Sequence, residues 1–134
     1  MALYLAEGDS ARADAACAGV PPPILLTDWH RVEIANAFQR AVKNARITDV
    51  QAVRLWQDFT LDIAAGRFEI VAMDHSAVLA RALVLTQKHT ATTGTRSLDL
   101  IHIATALEIG AIEFLSFDHR QRQAASAEGL MVTP

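Results

Sequence analysis

Short apolar runs alternate along this chain with longer stretches whose apolar residues recur at helical spacing. That alternation predicts an α/β domain: a three-layer arrangement with a mainly parallel central sheet flanked by helices. Ile24-Leu25-Leu26, Phe68 to Met73 and Ile112 to Phe117 read as buried strands, and Leu130-Met131-Val132 as a final edge strand. Thr27 or Asp28 caps a helix running to about Arg46, with Val32, Ala35, Phe38 and Val42 on its apolar side. Thr48 caps the next helix, which carries Val53, Trp56, Phe59 and Ile63 and ends at Gly66. Ser76 to His89 reads as a helix with Val78, Leu79, Ala82, Leu83 and Leu85 inward, followed by a threonine-rich loop from Ala91 to Thr95. Ser97 is the expected cap of a helix that Gly110 terminates, and His119 to Glu128 is a polar helix closed by Gly129. Near the start, Met1 to Leu5 is apolar, Ala11 to Ala18 reads as a short helix, and Gly19-Val20-Pro21-Pro22-Pro23 stops it. The 134 residues fit one domain with one core.

Three acids stand in apolar surroundings. Asp99 lies in Ser97-Leu98-Asp99-Leu100-Ile101, Asp118 follows Phe114-Leu115-Ser116-Phe117, and Glu33 lies in Arg31-Val32-Glu33-Ile34-Ala35. Burying an ionised carboxylate is costly unless something pairs with it. A shared divalent cation is an economical partner, because hard ions such as magnesium favour oxygen ligands. Open α/β sheets place their sites at the carboxyl ends of strands. Glu33 and Asp118 each follow a strand, and Asp99 lies in the first turn of a helix.

Composition narrows the setting. Hydrophobic residues make up 51% and charged residues 20%, which suits a folded core. The formal net charge of −3 excludes a globally basic surface, so any grip on nucleic acid is local. The single Cys17 excludes an internal disulfide and a cysteine-built zinc site. No basic-then-apolar leader opens the chain, and no apolar stretch reaches the ~20 residues of a membrane span. The expected location is therefore the cytoplasm.

With Arg31-Val32-Glu33-Ile34-Ala35-Asn36-Ala37, Arg96-Ser97-Leu98-Asp99-Leu100-Ile101-His102-Ile103-Ala104 and Phe114-Leu115-Ser116-Phe117-Asp118 in this order, the chain resembles the PIN-domain family. It is most similar to the VapC-type toxin ribonucleases of bacterial toxin–antitoxin pairs. The resemblance spans nearly the whole chain and implies a single PIN-like domain over residues 1–134. It implies metal-dependent hydrolysis of RNA, with Mg2+ or Mn2+ held by Glu33, Asp99 and Asp118 and with Ser116 as an outer partner of the metal or its water. Arg96, Arg120 and Arg122, close in sequence to the acids, are candidate phosphate contacts. The resemblance also implies a cognate antitoxin and a homodimer.

One departure is serious. The family usually begins with a central strand carrying its first Asp, whereas Met1-Ala2-Leu3-Tyr4-Leu5 matches the segment after that strand. The usual N-terminal strand and first ligand are thus expected to be missing. Either the true start lies upstream, the favoured explanation, or the chain is a truncation with a damaged site. The second case gives a different function: a PIN-like module that binds antitoxin or RNA without cleaving.

Blander readings accompany each candidate. Asp99 has a capping alternative, although Ser97 fits that role; Asp118 is a natural N-cap for the helix after it; Glu33 has a solvated alternative near Arg31 or Arg40. Arg96 is as well suited to an acid as to RNA. His102 reads as a packed histidine, and His30, His75, His89 and His119 as surface or cap residues. Trp29, Trp56 and Phe59 read as core.

Overall fold

The computed structural model describes Ala15 and residues 17–133. Met1 to Leu5 and most of the Ala11 to Ala18 helix lie outside the described residues; within that segment Ala15, Cys17 and Ala18 are helical. The chain divides into two compact units, Met1–Ala72 and Met73–Pro134. The expected α/β class is what the described residues form, with every strand pairing parallel. The strands, however, make two two-stranded parallel sheets, one within each unit.

The first unit runs β1 (Ile24–Leu26), α1 (Asp28–Lys43), α2 (Asp49–Ala64) and β2 (Phe68–Ile70). β1 pairs with β2 in the register Ile24↔Phe68 to Leu26↔Ile70. Parallel neighbours need a crossover, and the α1–α2 pair supplies it. Both helix starts follow from local chemistry. The Thr27 N–H donates to His30 Nδ1 at 3.1 Å, and the Thr48 N–H donates to Gln51 Oε1 at 2.8 Å. Gln51 N–H returns a bond to Thr48 Oγ1, so a reciprocal capping box starts α2. α1 stops at Lys43 rather than Arg46 because Ala45 turns left-handed, with φ of 54°.

The core of this unit is Ile34, Phe38, Ala41, Ala52, Phe59 and Phe68. Phe59 lies 5.5 Å from Trp56 and 6.0 Å from Phe68 between ring centroids. Tilted pairs at these separations suit the ring quadrupoles. Val32 and Val53, expected inward, are exposed. The buried stripe of α1 runs through Ile34, Phe38 and Ala41, which turns Val32 outward.

The second unit runs α3 (His75–Thr93), α4 (Ser97–Glu108), β3 (Glu113–Leu115), α5 (His119–Ala127) and β4 (Met131–Thr133). β3 pairs with β4 from Glu113↔Met131 to Leu115↔Thr133. Val78, Ala82, Leu85, Leu100, Ile103, Ala104, Ala124 and Leu130 belong to its core cluster. Leu79 and Leu83 are exposed rather than inward, since Val78, Ala82, Leu85 and His89 take the buried face of α3. The expected threonine-rich loop is mostly helix. Thr92 and Thr93 donate their hydroxyls to the His89 carbonyl, and α3 ends only where Gly94 adopts φ of 67°. A residue with a Cβ is strained at that angle, so the helix stops at the glycine. Among the described residues, no helix is long and apolar enough to cross a membrane.

Candidate functional site

Asp118 ends the segment after β3 and caps α5. Its Oδ1 accepts the N–H groups of Arg120 at 2.9 Å and Gln121 at 3.1 Å. Its Oδ2 faces two guanidinium groups, Arg96 at 3.7 Å and Arg120 at 3.8 Å. Partial burial pulls this carboxyl upward, but the two backbone donors and the charges of Arg120 and Arg96 outweigh it and hold the pKa below the ordinary value. Asp118 is therefore ionised and turns one oxygen toward cations while the other starts a helix.

Asp99 departs from its expected surroundings. Arg96, not Ser97, is the N-cap of α4, and Asp99 occupies the third helical position. Asp99 Oδ2 accepts from the Arg96 backbone N–H at 3.0 Å and from Arg96 Nε at 3.3 Å. The chain enters the helix one residue earlier than the best capping side chain, so the acid completes the cap from inside. The Asp99 side chain is largely buried, and Arg96 is mostly exposed.

Arg96 thus joins the two acids: one guanidinium lies within 4 Å of a carboxylate oxygen of each. Of the two uses open to Arg96, pairing with acid is the one the structure displays. Arg120 also faces Asp118, and Arg122 donates its backbone N–H to the Asp118 carbonyl in the first turn of α5. Glu33 is half-buried on α1 and belongs to the first unit.

Behind the pair lies a polar residue that the sequence reading passed over. Gln121, in a helix that reads as polar and solvated, is buried. It accepts from the Ser116 hydroxyl at 2.6 Å and donates to the Asp99 carbonyl at 3.3 Å. Ser116, also buried, accepts the Asp118 N–H at 3.2 Å. A helix whose other buried positions are Ala124 and Ala125 carried the signal: Gln121 sits three residues before Ala124 on one face.

The histidines divide. His30 caps α1, as expected, and His102 is buried in α4. His89 was expected at the surface or in a cap; it is buried instead, with Nε2 2.6 Å from Glu128 Oε1. Lys88 Nζ lies 2.6 Å from the same oxygen.

Among the described residues, no group of three or more His, Cys, Asp or Glu side chains is arranged to hold a metal ion. The donor chemistry of the Asp99–Asp118 pair nevertheless suits a magnesium-like ion, which is commonly held by one or two carboxylates and otherwise by water. Both acids already share a cationic neighbour in Arg96.

No curated protein matches the chain. The family model described as PIN domain matches residues 2–127, nearly the whole length. The chain therefore belongs to the PIN-domain family, whose members are generally nucleases that use divalent metals.

Proposed function

We propose that this chain is a metal-dependent endoribonuclease toxin of a toxin–antitoxin pair, acting in the cytoplasm on RNA phosphodiester bonds. The observation that supports it most is the convergence of Asp99 and Asp118 on one cationic group in a chain of this family. Mg2+ or Mn2+ is the proposed cofactor, with Asp99 and Asp118 as ligands and Glu33 joining them by family resemblance alone. When bound, such an ion lowers the pKa of a water and stabilises charge on the leaving oxygen.

The chain's own groups do the rest. Asp118 presents Oδ2 while Oδ1 stays fixed to α5. Arg96, largely exposed, exchanges its acid contacts for phosphate oxygens, and Arg120, which faces Asp118, and Arg122, one turn into the same helix, are the further proposed phosphate contacts. Ser116 orients Asp118 through its backbone and acts behind the ligands. A cognate antitoxin and a second copy of the chain are the proposed partners. Trp56 and Phe59 belong to the core cluster or its border, so exposed Val50, Val53 and Leu61 of the same helix are the better contacts.

A second reading has its own support. Arg96 lies within 4 Å of a carboxylate oxygen of both Asp99 and Asp118 and offsets their charge. A module that binds antitoxin or RNA without cleaving fits that state.

RNA cleavage by the 134-residue chain with Mg2+ or Mn2+, beside Asp99→Asn, tests the two readings. Asn keeps an oxygen for the Arg96 N–H, so the helix start survives while the charge goes. The nuclease reading expects cleavage to fall at least about 100-fold, the upper range for disturbing groups around a metal. Folded wild-type chain that binds RNA without cleaving it supports the binding module instead.

A further inference from the structure

We propose that Gln121 is a positioning residue that sets the spacing of Asp99 and Asp118; the inference rests on reading those acids as metal ligands. Its carboxamide closes a run of hydrogen bonds that begins at one acid's backbone and ends at the other's. The Asp118 N–H donates to Ser116 Oγ at 3.2 Å, the Ser116 hydroxyl donates to Gln121 Oε1 at 2.6 Å, and Gln121 Nε2 donates to the Asp99 carbonyl at 3.3 Å. Every donor points the same way along the run, so each bond polarises the next. Gln121 is tied to Asp118 a second time, through its own N–H to Oδ1 at 3.1 Å.

The chemistry demands a carboxamide. One end must accept and the other must donate, at the fixed separation of an amide group. Leucine or methionine offers neither, and an ionised glutamate lacks the donor. Ser116 and Gln121 are both buried, so water is a poor substitute for either partner. The run crosses from the end of β3 to the first turn of α4, the two places from which the acids project. A shift of either backbone changes the distance between the carboxylates, and ligand sets tolerate little of that.

A purely structural glutamine would leave the same hydrogen bonds, so the test must separate stability from geometry. Mn2+ titration by calorimetry and thermal unfolding are measured on the full chain as wild type, Asp99→Asn, Gln121→Met and the double variant Ser116→Ala with Gln121→Met. The single Gln121→Met is expected to weaken Mn2+ binding roughly tenfold, the scale seen for groups that orient metal ligands, and to lower Tm. The double variant removes both buried partners, leaving the Asp118 N–H at a half-exposed position. It should regain much of the lost Tm and none of the lost affinity. Affinity that returns with Tm, or a Gln121→Met chain that binds like wild type, overturns the positioning role while Asp99→Asn still binds weakly. Wild type that binds no Mn2+, or Asp99→Asn that binds as tightly as wild type, overturns the metal reading itself and the positioning role with it.

Discussion

The two units build their interiors from different materials. The first packs aromatic rings, with Phe38, Phe59 and Phe68 buried and, among the described residues, Thr27 as its buried polar residue. The second packs alanine, leucine, isoleucine and valine and buries His89, Thr95, His102, Thr105, Ser116 and Gln121 among them. Each buried polar group must find a partner or cost about 1–3 kcal/mol. A core that carries this many has been shaped around its hydrogen bonds as well as its volume. The converging acids lie in that second unit, where fixed donors and acceptors reach the surface.

The sharpest way to break this contrast is to remove a ring. Phe59→Ala should lower stability by about 3–5 kcal/mol in denaturant unfolding, with Phe59→Leu recovering much of the loss. Equal losses from Ala and Leu would mean that filled volume is not what holds the first unit.

The second unit should respond to pH. The hydrogen bond from Lys88 outweighs burial and, with the His89 contact, holds the Glu128 pKa below its ordinary value. A carboxyl lowered on folding adds stability above its unfolded pKa and loses it as pH falls through the folded value. Glu128→Gln is therefore expected to cost about 1–2 kcal/mol near neutral pH, after discounting for the exposed Lys88, and almost nothing in strong acid. Unfolding curves across the acid range check this; a penalty that persists at low pH would assign Glu128 a packing role.

The smallest expected effect sharpens the electrostatic side of the comparison. Arg96 neutralises the two acids proposed as metal ligands, so Arg96→Gln should tighten Mn2+ binding by about fivefold at low salt, narrowing as salt rises. Its backbone N–H, which starts α4, is untouched by the change. Weaker binding in the variant would make Arg96 a support of the site rather than a competitor.

Much of the fold was legible because its signals are local. Thr48, Gly66, Gly94 and Gly110 mark helix ends through capping bonds and left-handed backbone, which depend on near neighbours. The errors arise where distant contacts decide. Leu79 and Leu83 share an apolar periodicity with Val78 and Ala82, and only packing selects which part of that broad stripe is covered. The length of α3 was hidden because Thr92 and Thr93 satisfy a carbonyl inside the helix rather than turning the chain. In the site, Asp118 was readable as both cap and acid. For Asp99 capping stood as the alternative to metal binding; Ser97 is the better cap by residue type, but the backbone enters the helix at Arg96, so Asp99 completes the cap. For Gln121 the spacing to Ala124 and Ala125 marks a buried face, but its role does not follow from that spacing, because one of its partners is a main-chain carbonyl 22 residues away.

The double duty of Asp99 bears on how such a chain changes over generations. Its carboxylate completes the start of α4 as well as facing Arg96. A lineage that lost nuclease activity would still be penalised for replacing this residue with one that cannot accept the Arg96 N–H. Persistence of the acid in descendants therefore records selection for a folded helix as readily as selection for catalysis. A better historical marker is Asp118 Oδ2, the oxygen that the cap of α5 does not use: exchange of Asp118 for Asn or Ser preserves the helix start and discards only the charge.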